Sequence, residues 1–469
     1  MGFFVVAMLS GCQVGPQYER PAALGTKSVP AHFDGTATNA EWKAAEPRAH
    51  LTREAWWSVF SAPELDRLMA LANGGNQDLA AAFARFDQAH SLVTVARSGL
   101  FPTLDATPSY QRVRTSANAV QLGRPAGQGY NYNNFSAPLT AGWEADLWGR
   151  VRHQVEGAQA RLSAAADDVE SLKLEIQAEV ATDYFTLLAL DAELDLLRQT
   201  VEAYRKSLEL TQNRRQGGIA TDLDVAQAET LLKSTEAQLP VVELQRRKVS
   251  DALATLCGEP ATGFSPEAPK VMPERPPGLP QTLPSELLER RPDIAAAERR
   301  MAAANADVGV AQAAFYPRVQ LQGLAGFQSI NAGTVFNWPS RFWSVGPSLD
   351  LPIFTGGRNQ AQLAAARAAY TETTAIYRQT VLTAFQEVED QLAAGRLLAA
   401  QLEGETAALT AARRTLEIAN NRYQSGLVTY LEVATAASEA LTHERTVVRL
   451  KAEQFNASIA LIKALGGGW

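Results

Sequence analysis

The chain carries one pattern twice. The segment from Arg214 to Ala226 returns as the segment from Arg422 to Ala434, an offset of 208 residues, so that Gly218, Thr221 and Asp224 stand opposite Gly426, Thr429 and Glu432. The same offset pairs Gly149 and Arg150 with Gly357 and Arg358, and Gly258 with Gly466. An internal repeat of this kind is a unit that cannot bury its apolar face alone. Function is therefore expected from the way copies assemble, not from a lone catalytic pocket.

Composition narrows the class. With 469 residues, 46% of them hydrophobic, the chain has ample material for a core. A net charge of −7 gives no electrostatic footprint for nucleic acid. Two cysteines are too few for a disulfide framework. His32, His50, His90, His153 and His443 show no ligand spacing, so no metal and no cofactor is expected. The sequence also has no phosphate-cradling glycine loop and no nucleophile elbow, which argues against an enzyme.

The expected organisation starts with residues 1–12. Phe3 to Leu9 form an apolar run too short to span a bilayer. It resembles the end of a signal peptide's apolar region, although no Lys or Arg precedes it. Leu9-Ser10-Gly11-Cys12 resembles the bacterial lipobox, in which the cysteine is lipidated and becomes the first residue of the mature chain. Residues 13–63 read as a tether. Copy one is expected over 64–258 and copy two over 284–466, separated by a Pro-rich linker at 259–283 that cannot be helical.

Each copy reads as helix, strand pair, long helix, helix. The first helices are expected over 77–101 and 292–316, ending at Pro102 and Pro317. Strand pairs are expected within 103–147 and 318–354. There Leu104, Leu139, Ala141, Trp143, Val319, Leu321, Trp343, Val345 and Leu349 alternate with polar residues. Segments of about ten residues with period two suit a transmembrane β-barrel, and also a half-buried soluble sheet. Tyr130, Tyr132, Phe135, Trp338, Phe342 and Trp343 suggest an interfacial aromatic girdle. Pro138 and Pro347 interrupt the pattern.

The long helices, 150–216 and 358–424, give the stronger signal. From Ala158 to Leu208 apolar or small residues recur with a mean spacing of about 3.57, between the heptad value and that of a straight helix. Each would be roughly 100 Å long. The first and last helices of a copy (77–101 with 222–257, and 292–316 with 430–465) sum to nearly the same length. Two short helices stacked end to end would then match one long one.

Several motifs together resemble the TolC-like outer-membrane factors of tripartite efflux pumps, lipoprotein branch (NodT/OprM-type). They are the lipobox, Val14 to Pro21, Trp56-Trp57, the run Leu287 to Ile294 with Ala297-Glu298, Phe315 to Pro317, and the two helix-turn motifs. The resemblance implies a mainly α protein with a small membrane β part. Long antiparallel helices form an α-barrel, and four strands per chain contribute to a trimeric 12-stranded β-barrel. It further implies a homotrimer anchored in outer-membrane lipid. The partners would be a periplasmic adaptor (membrane fusion protein) and an inner-membrane RND transporter, and the activity passive exit of drugs or other small molecules. The physics agrees with assembly, because four strands cannot close a barrel alone and an open edge in lipid is forbidden.

The same resemblance points to residues. Cys12 is the expected lipid anchor. Asp224, Glu432 and Tyr423 match family gate positions, and Asp222 stands where it could act with Asp224. Acids crowded on a threefold axis would repel one another and attract cations. An alternative reading makes Asp224 and Glu432 first-turn acids that satisfy helix N-termini. Gly218 and Gly426 are expected as left-handed helix ends, with Thr221 and Thr429 as N-caps of the next helices. These four residues mark the turns where an adaptor would dock. The arginine and the acid with which some relatives lock the gate are Val428 and Thr435 here. Arg214, Arg215 and Arg422 stand nearby as substitutes. Two other readings remain: an exit duct for type I protein secretion, and a periplasmic adaptor, which would carry one helical hairpin rather than two copies.

Overall fold

A computed structural model describes residues 13–25, 55–118, 127, 129–266, 274–277 and 290–467. Cys12 and its lipobox lie outside these residues. Internal contacts divide the chain into two units. Unit one takes Met1–Pro21, Arg85–Ala165 and Ala297–Tyr377, and unit two takes Ala22–Ala84, Ala166–Ala296 and Arg378–Trp469. Each unit draws on both copies of the repeat.

In chain order the regular elements are α1 (Pro63–Gly75), α2 (Gln77–Ser98), β1 (Thr103–Ala106), β2 (Ser109–Arg114), β3 (Asn131–Ala145) and α3 (Arg150–Gln216). There follow α4 (Asp222–Glu236), α5 (Leu239–Leu256), α6 (Pro292–Ala313), β4 (Arg318–Ser329), β5 (Arg341–Asp350), α7 (Arg358–Gln424) and α8 (Tyr430–Ala464). Both long helices have the expected bounds. The first helices end three residues early, at Ser98 and Ala313, in turns ahead of Pro102 and Pro317. The single helix expected over 222–257 is two. Pro240 supplies no N–H to an interior turn, so α4 stops at Glu236 and α5 restarts at Leu239. Helix α1 lies where the sequence reading placed no separate helix, with Leu65, Leu68, Met69 and Ala72 buried on one face.

Unit one holds the sheet. β1 and β2 both pair with β3, β3 with β4, and β4 with β5, all antiparallel. β1 and β2 are one strand interrupted without a slip, since Ala106 faces Leu139 and Ser109 faces Ser136. Pro108 and Pro138 fall in this gap and neither can donate, so pairing lapses while register holds. Gly326 lies opposite Pro138, where an added Cβ would stand 2.4 Å from the Ala137 carbonyl oxygen. Only glycine admits that approach.

Cross-strand partners share a face. Leu104, Leu139, Ala141, Trp143, Val319, Leu321, Phe327, Trp343, Val345 and Leu349 fall on one face. Thr103, Ser136, Thr140, Gln320, Gln322 and Gln328 fall on the other. Val345, Trp343, Leu104 and Leu349 are each about two-thirds exposed or more within one chain. The expected girdle divides between faces. Phe135 and Trp343 lie on the apolar one, whereas Tyr132 and Phe342 are one residue out of phase and lie on the polar one.

Also in unit one, the segment from Gln13 lies against the helices. Val14 N donates to Trp148 O at 3.0 Å, and Asn305 donates to Pro16 O at 3.1 Å. Tyr18 donates to the buried Glu298. The α3 N-terminus is capped by Asp146, which accepts from Val151 N and Arg152 N at 3.1 and 3.0 Å.

Unit two has an aromatic core. Phe185 stacks on Phe455 at 4.5 Å, with Phe60 beside both. Trp56 Nε1 donates to Gln177 at 3.1 Å. Cys257 is buried, and burial pushes its thiol up to about 11, as suits a packing residue. In the Arg290–Asp293 run, Arg291 is buried and donates to Asp293, to Glu387 and to Ala464 O.

Candidate functional site at the helix-turn tips

The turns of the repeated motif lie in unit two, one joining α3 to α4 and the other α7 to α8. Both close the same way. Gly218 and Gly426 each have φ of +74°. Gly218 N donates to Arg215 O and Ile219 N to Arg214 O. In copy two, Gly426 N donates to Tyr423 O and Leu427 N to Arg422 O, all at 2.9 Å. This pair of bonds is a Schellman motif, and its left-handed residue is the reason for glycine. The next residues, Ile219 and Leu427, are about 70% exposed, and Leu223 and Leu431 beyond them are also exposed.

The helices that follow are capped differently. In copy one Thr221 caps α4. Its Oγ1 accepts from Asp224 N at 3.2 Å, and Asp224 Oδ2 accepts from Thr221 N at 2.8 Å, a full capping box. The other carboxylate oxygen of Asp224 accepts from Tyr430 N at 3.1 Å, the first amide of α8. Thr429 occupies the N-cap position of α8 but, contrary to expectation, its side chain accepts no cap hydrogen bond. Asp224 thus serves two helix N-termini, one from each copy. Burial alone would push its carboxyl up, but bonds from Thr221 and Tyr430, with the Arg214 charge, outweigh this and hold it below its usual value.

Tyr423 is buried beneath this bridge. It meets Tyr430 edge-on at 5.4 Å and its hydroxyl donates to Thr211 at 3.4 Å. Arg214 lies over the Tyr423 ring at 5.0 Å and donates to Gln424 O at 2.9 Å. Ala228, Ala419, Val433 and Ala436 complete the cluster, with Val428 packed against it. Val428 is therefore a core residue of the tip.

Asp222 and Glu432 stand outside the cluster. Asp222 is 82% exposed at its side chain and pairs with Arg215, so it does not join Asp224. Glu432, in the position equivalent to Asp224, turns outward to Arg422 at 3.7 Å, both about half-exposed. The sequence reading missed Tyr430 and the bridging role of Arg214. Tyr430 stands opposite Asp222 in the repeat, and that departure from the pattern was the available signal. Among the described residues no group of three or more His, Cys, Asp or Glu is placed to hold a metal ion. No described helix is long and apolar enough to cross a membrane, which says nothing of a β-barrel.

Comparison with known proteins fits this architecture. The profile of the outer membrane efflux protein family matches residues 68–259 and 283–467, the two copies. The pyoverdine export outer membrane protein OpmQ of Pseudomonas aeruginosa is 35% identical over 447 residues, covering 94% of each chain. The toluene efflux pump outer membrane protein TtgI of Pseudomonas putida is 31% identical, covering 99% of this chain and 97% of its own. The outer-membrane channel OprN superposes with a TM-score of 0.86 at 30% identity, over 98% of this chain and all of that one. A duplicated helical chain with a half-apolar open sheet, matched in both copies and across nearly its whole length, belongs to the outer membrane efflux protein family.

Proposed function

We propose that the chain is the outer-membrane duct of a tripartite efflux system, through which small molecules leave passively. It works as a homotrimer with a periplasmic adaptor and an inner-membrane RND transporter. The carrying observation is the sheet. One face is apolar and uncovered, the other is polar, and among the described residues both edges, β1–β2 and β5, have no strand partner. Such a sheet satisfies its backbone in lipid only by closing with other copies, which leaves the polar face on a watery lumen. The names of OpmQ and TtgI refer to pyoverdine and toluene, so small molecules of widely differing polarity are the proposed cargo. The family match favours this over a protein-secretion duct or an adaptor, and over catalysis. Cys12 is proposed as the lipid anchor.

At the periplasmic end, the tips are proposed as the gate and as the adaptor's docking point. Asp224 pins the two hairpins of one chain together, with Tyr423 as its floor. The Arg215–Asp222 and Arg422–Glu432 pairs form an exposed ring of charge around it. Gly218, Thr221, Gly426 and Thr429 set the shape presented to the adaptor.

Planar-bilayer conductance of the purified protein tests this. The wild type is expected to be trimeric in detergent and to conduct poorly while shut. Asp224→Ala with Glu432→Ala is expected to raise the conductance. A detergent-free monomer without membrane association would refute the duct, and unchanged conductance would remove these residues from the gate.

A further inference from the structure

We infer that the outward face of the sheet carries, at its loop end, a site for the phosphorylated headgroup of a membrane lipid, formed by Arg112 and Arg114 of one copy with Arg341 of the next. The inference rests on the duct reading above. Register fixes the face. Arg112 faces Asn133 and Arg114 faces Asn131, which alternate in phase with Phe135, Leu139 and Trp143 on β3. Arg341 faces Phe327, which faces Ala137 on the same side. All three arginines are exposed and share the apolar face.

Charge on the sheet is divided by height. No Asp or Glu occurs from 106 to 143 or from 318 to 349. The acids that flank these stretches, Asp105, Glu144 and Asp350, stand at the helix end and on the polar face. The loop end therefore holds arginine without a countercharge. Arg341 is also held in place: its guanidinium lies 4.2 Å from the Trp338 ring centroid and donates to Trp338 O at 2.9 Å.

Depth agrees. From Leu349 to Arg341 the strand is about 27 Å long, which at the roughly 35–45° tilt of barrel strands rises about 20 Å, most of the roughly 25 Å apolar band of outer-membrane barrels. Arg341, level with Ala137, thus comes near the upper edge of that band, and Arg112 and Arg114, which face Asn133 and Asn131, lie four and six residues nearer the loops, at the headgroups of the far leaflet. β2 and β5 are edge strands, so closing the ring makes β5 of one copy the neighbour of β2 of the next. Closure then brings cations of both edges onto one outer junction. They repel unless an anion lies between them, and arginine's planar fork matches phosphate oxygens.

Wild-type trimers would be placed in phosphatidylcholine nanodiscs doped with a bisphosphorylated glycolipid or with its dephosphorylated counterpart. Lipid retained after a detergent wash is then counted by native mass spectrometry. The phosphorylated lipid is expected to be retained about tenfold better, and Arg112→Gln, Arg114→Gln and Arg341→Gln each to cost roughly fivefold. Equal retention of the two lipids by the wild type overturns the site, whatever the variants do. Unchanged retention by an inserted, trimeric triple variant also overturns it. Stripping of the lipid by millimolar inorganic phosphate would reassign the arginines to a free anion. Failure of the wild type to enter the bilayer would instead refute the duct.

Discussion

The two helix-turn tips have the same backbone and different chemistry. Both end a 67-residue helix on a glycine at φ +74°, with the same pair of closing bonds. Three residues later copy one has Thr221 and copy two has Thr429, and three further on come Asp224 and Glu432. One methylene separates the acids. The shorter folds back onto the amides of its own helix and reaches Tyr430 N, whereas the longer turns out to Arg422. Duplication kept the turn and divided the labour, leaving one tip as the pin and the other as the pinned.

This asymmetry is open to attack. Asp224→Ala has the largest expected effect. It strips three donors, Thr221 N, Thr221 Oγ1 and Tyr430 N, of their acceptor, and caps and charged hydrogen bonds of this kind are worth about 2 kcal/mol together. Amide exchange at Tyr430 should then quicken roughly thirtyfold, and Glu432→Ala should leave it unchanged. The pH dependence has a definite sign. The Asp224 carboxyl lies below its usual value in the folded chain, so its contribution is complete above the unfolded value of about 3.9 and is lost as pH falls through the depressed one. Protection at the tip, that is exchange corrected for the intrinsic pH dependence of amides, should therefore be flat from neutral pH down to about 5 and fall only in stronger acid.

Gly218→Ala and Gly426→Ala come next. An added Cβ meets nothing within 4 Å at either site, so the cost is the left-handed backbone alone, about 1 kcal/mol each. Equal losses in urea or thermal unfolding would show the two turns to be equivalent, and unequal losses would break the comparison. Glu432→Asp should have a smaller effect. It gives copy two the residues of a capping box with Thr429, stabilising the α8 N-terminus by about 0.5 kcal/mol, readable as roughly twofold slower exchange there. Glu432→Ala should change stability least, below about 0.5 kcal/mol, because its ion pair is long and half-exposed.

What the sequence revealed follows from how local each signal is. The long helices were legible to the residue because an unbroken apolar stripe runs between Gly149 and Gly217, and the second copy repeats its ends. The strands were legible from period two, yet Tyr132 and Phe342 were assigned by aromatic character when only register decides their face. The Pro240 break was legible in principle, since a proline nineteen residues into a helix is a boundary signal in its own right. At the tips the glycines and Thr221 were local and legible. Thr429 has the same local sequence signal yet makes no side-chain cap, and the bond from Tyr430 N to Asp224 joins residues 206 apart, beyond the reach of any local pattern.

The shared carboxylate of Asp224 also bears on how a gate proposed at these tips would move. A hydrogen bond weakens steeply once its angle falls below about 120°. If α8 swings away from α4, Tyr430 loses its acceptor at once, and water must enter to replace it. On the proposed gate reading, opening exchanges this bond for one to water, and a docking partner shifts the balance only by binding the open arrangement better than the closed one.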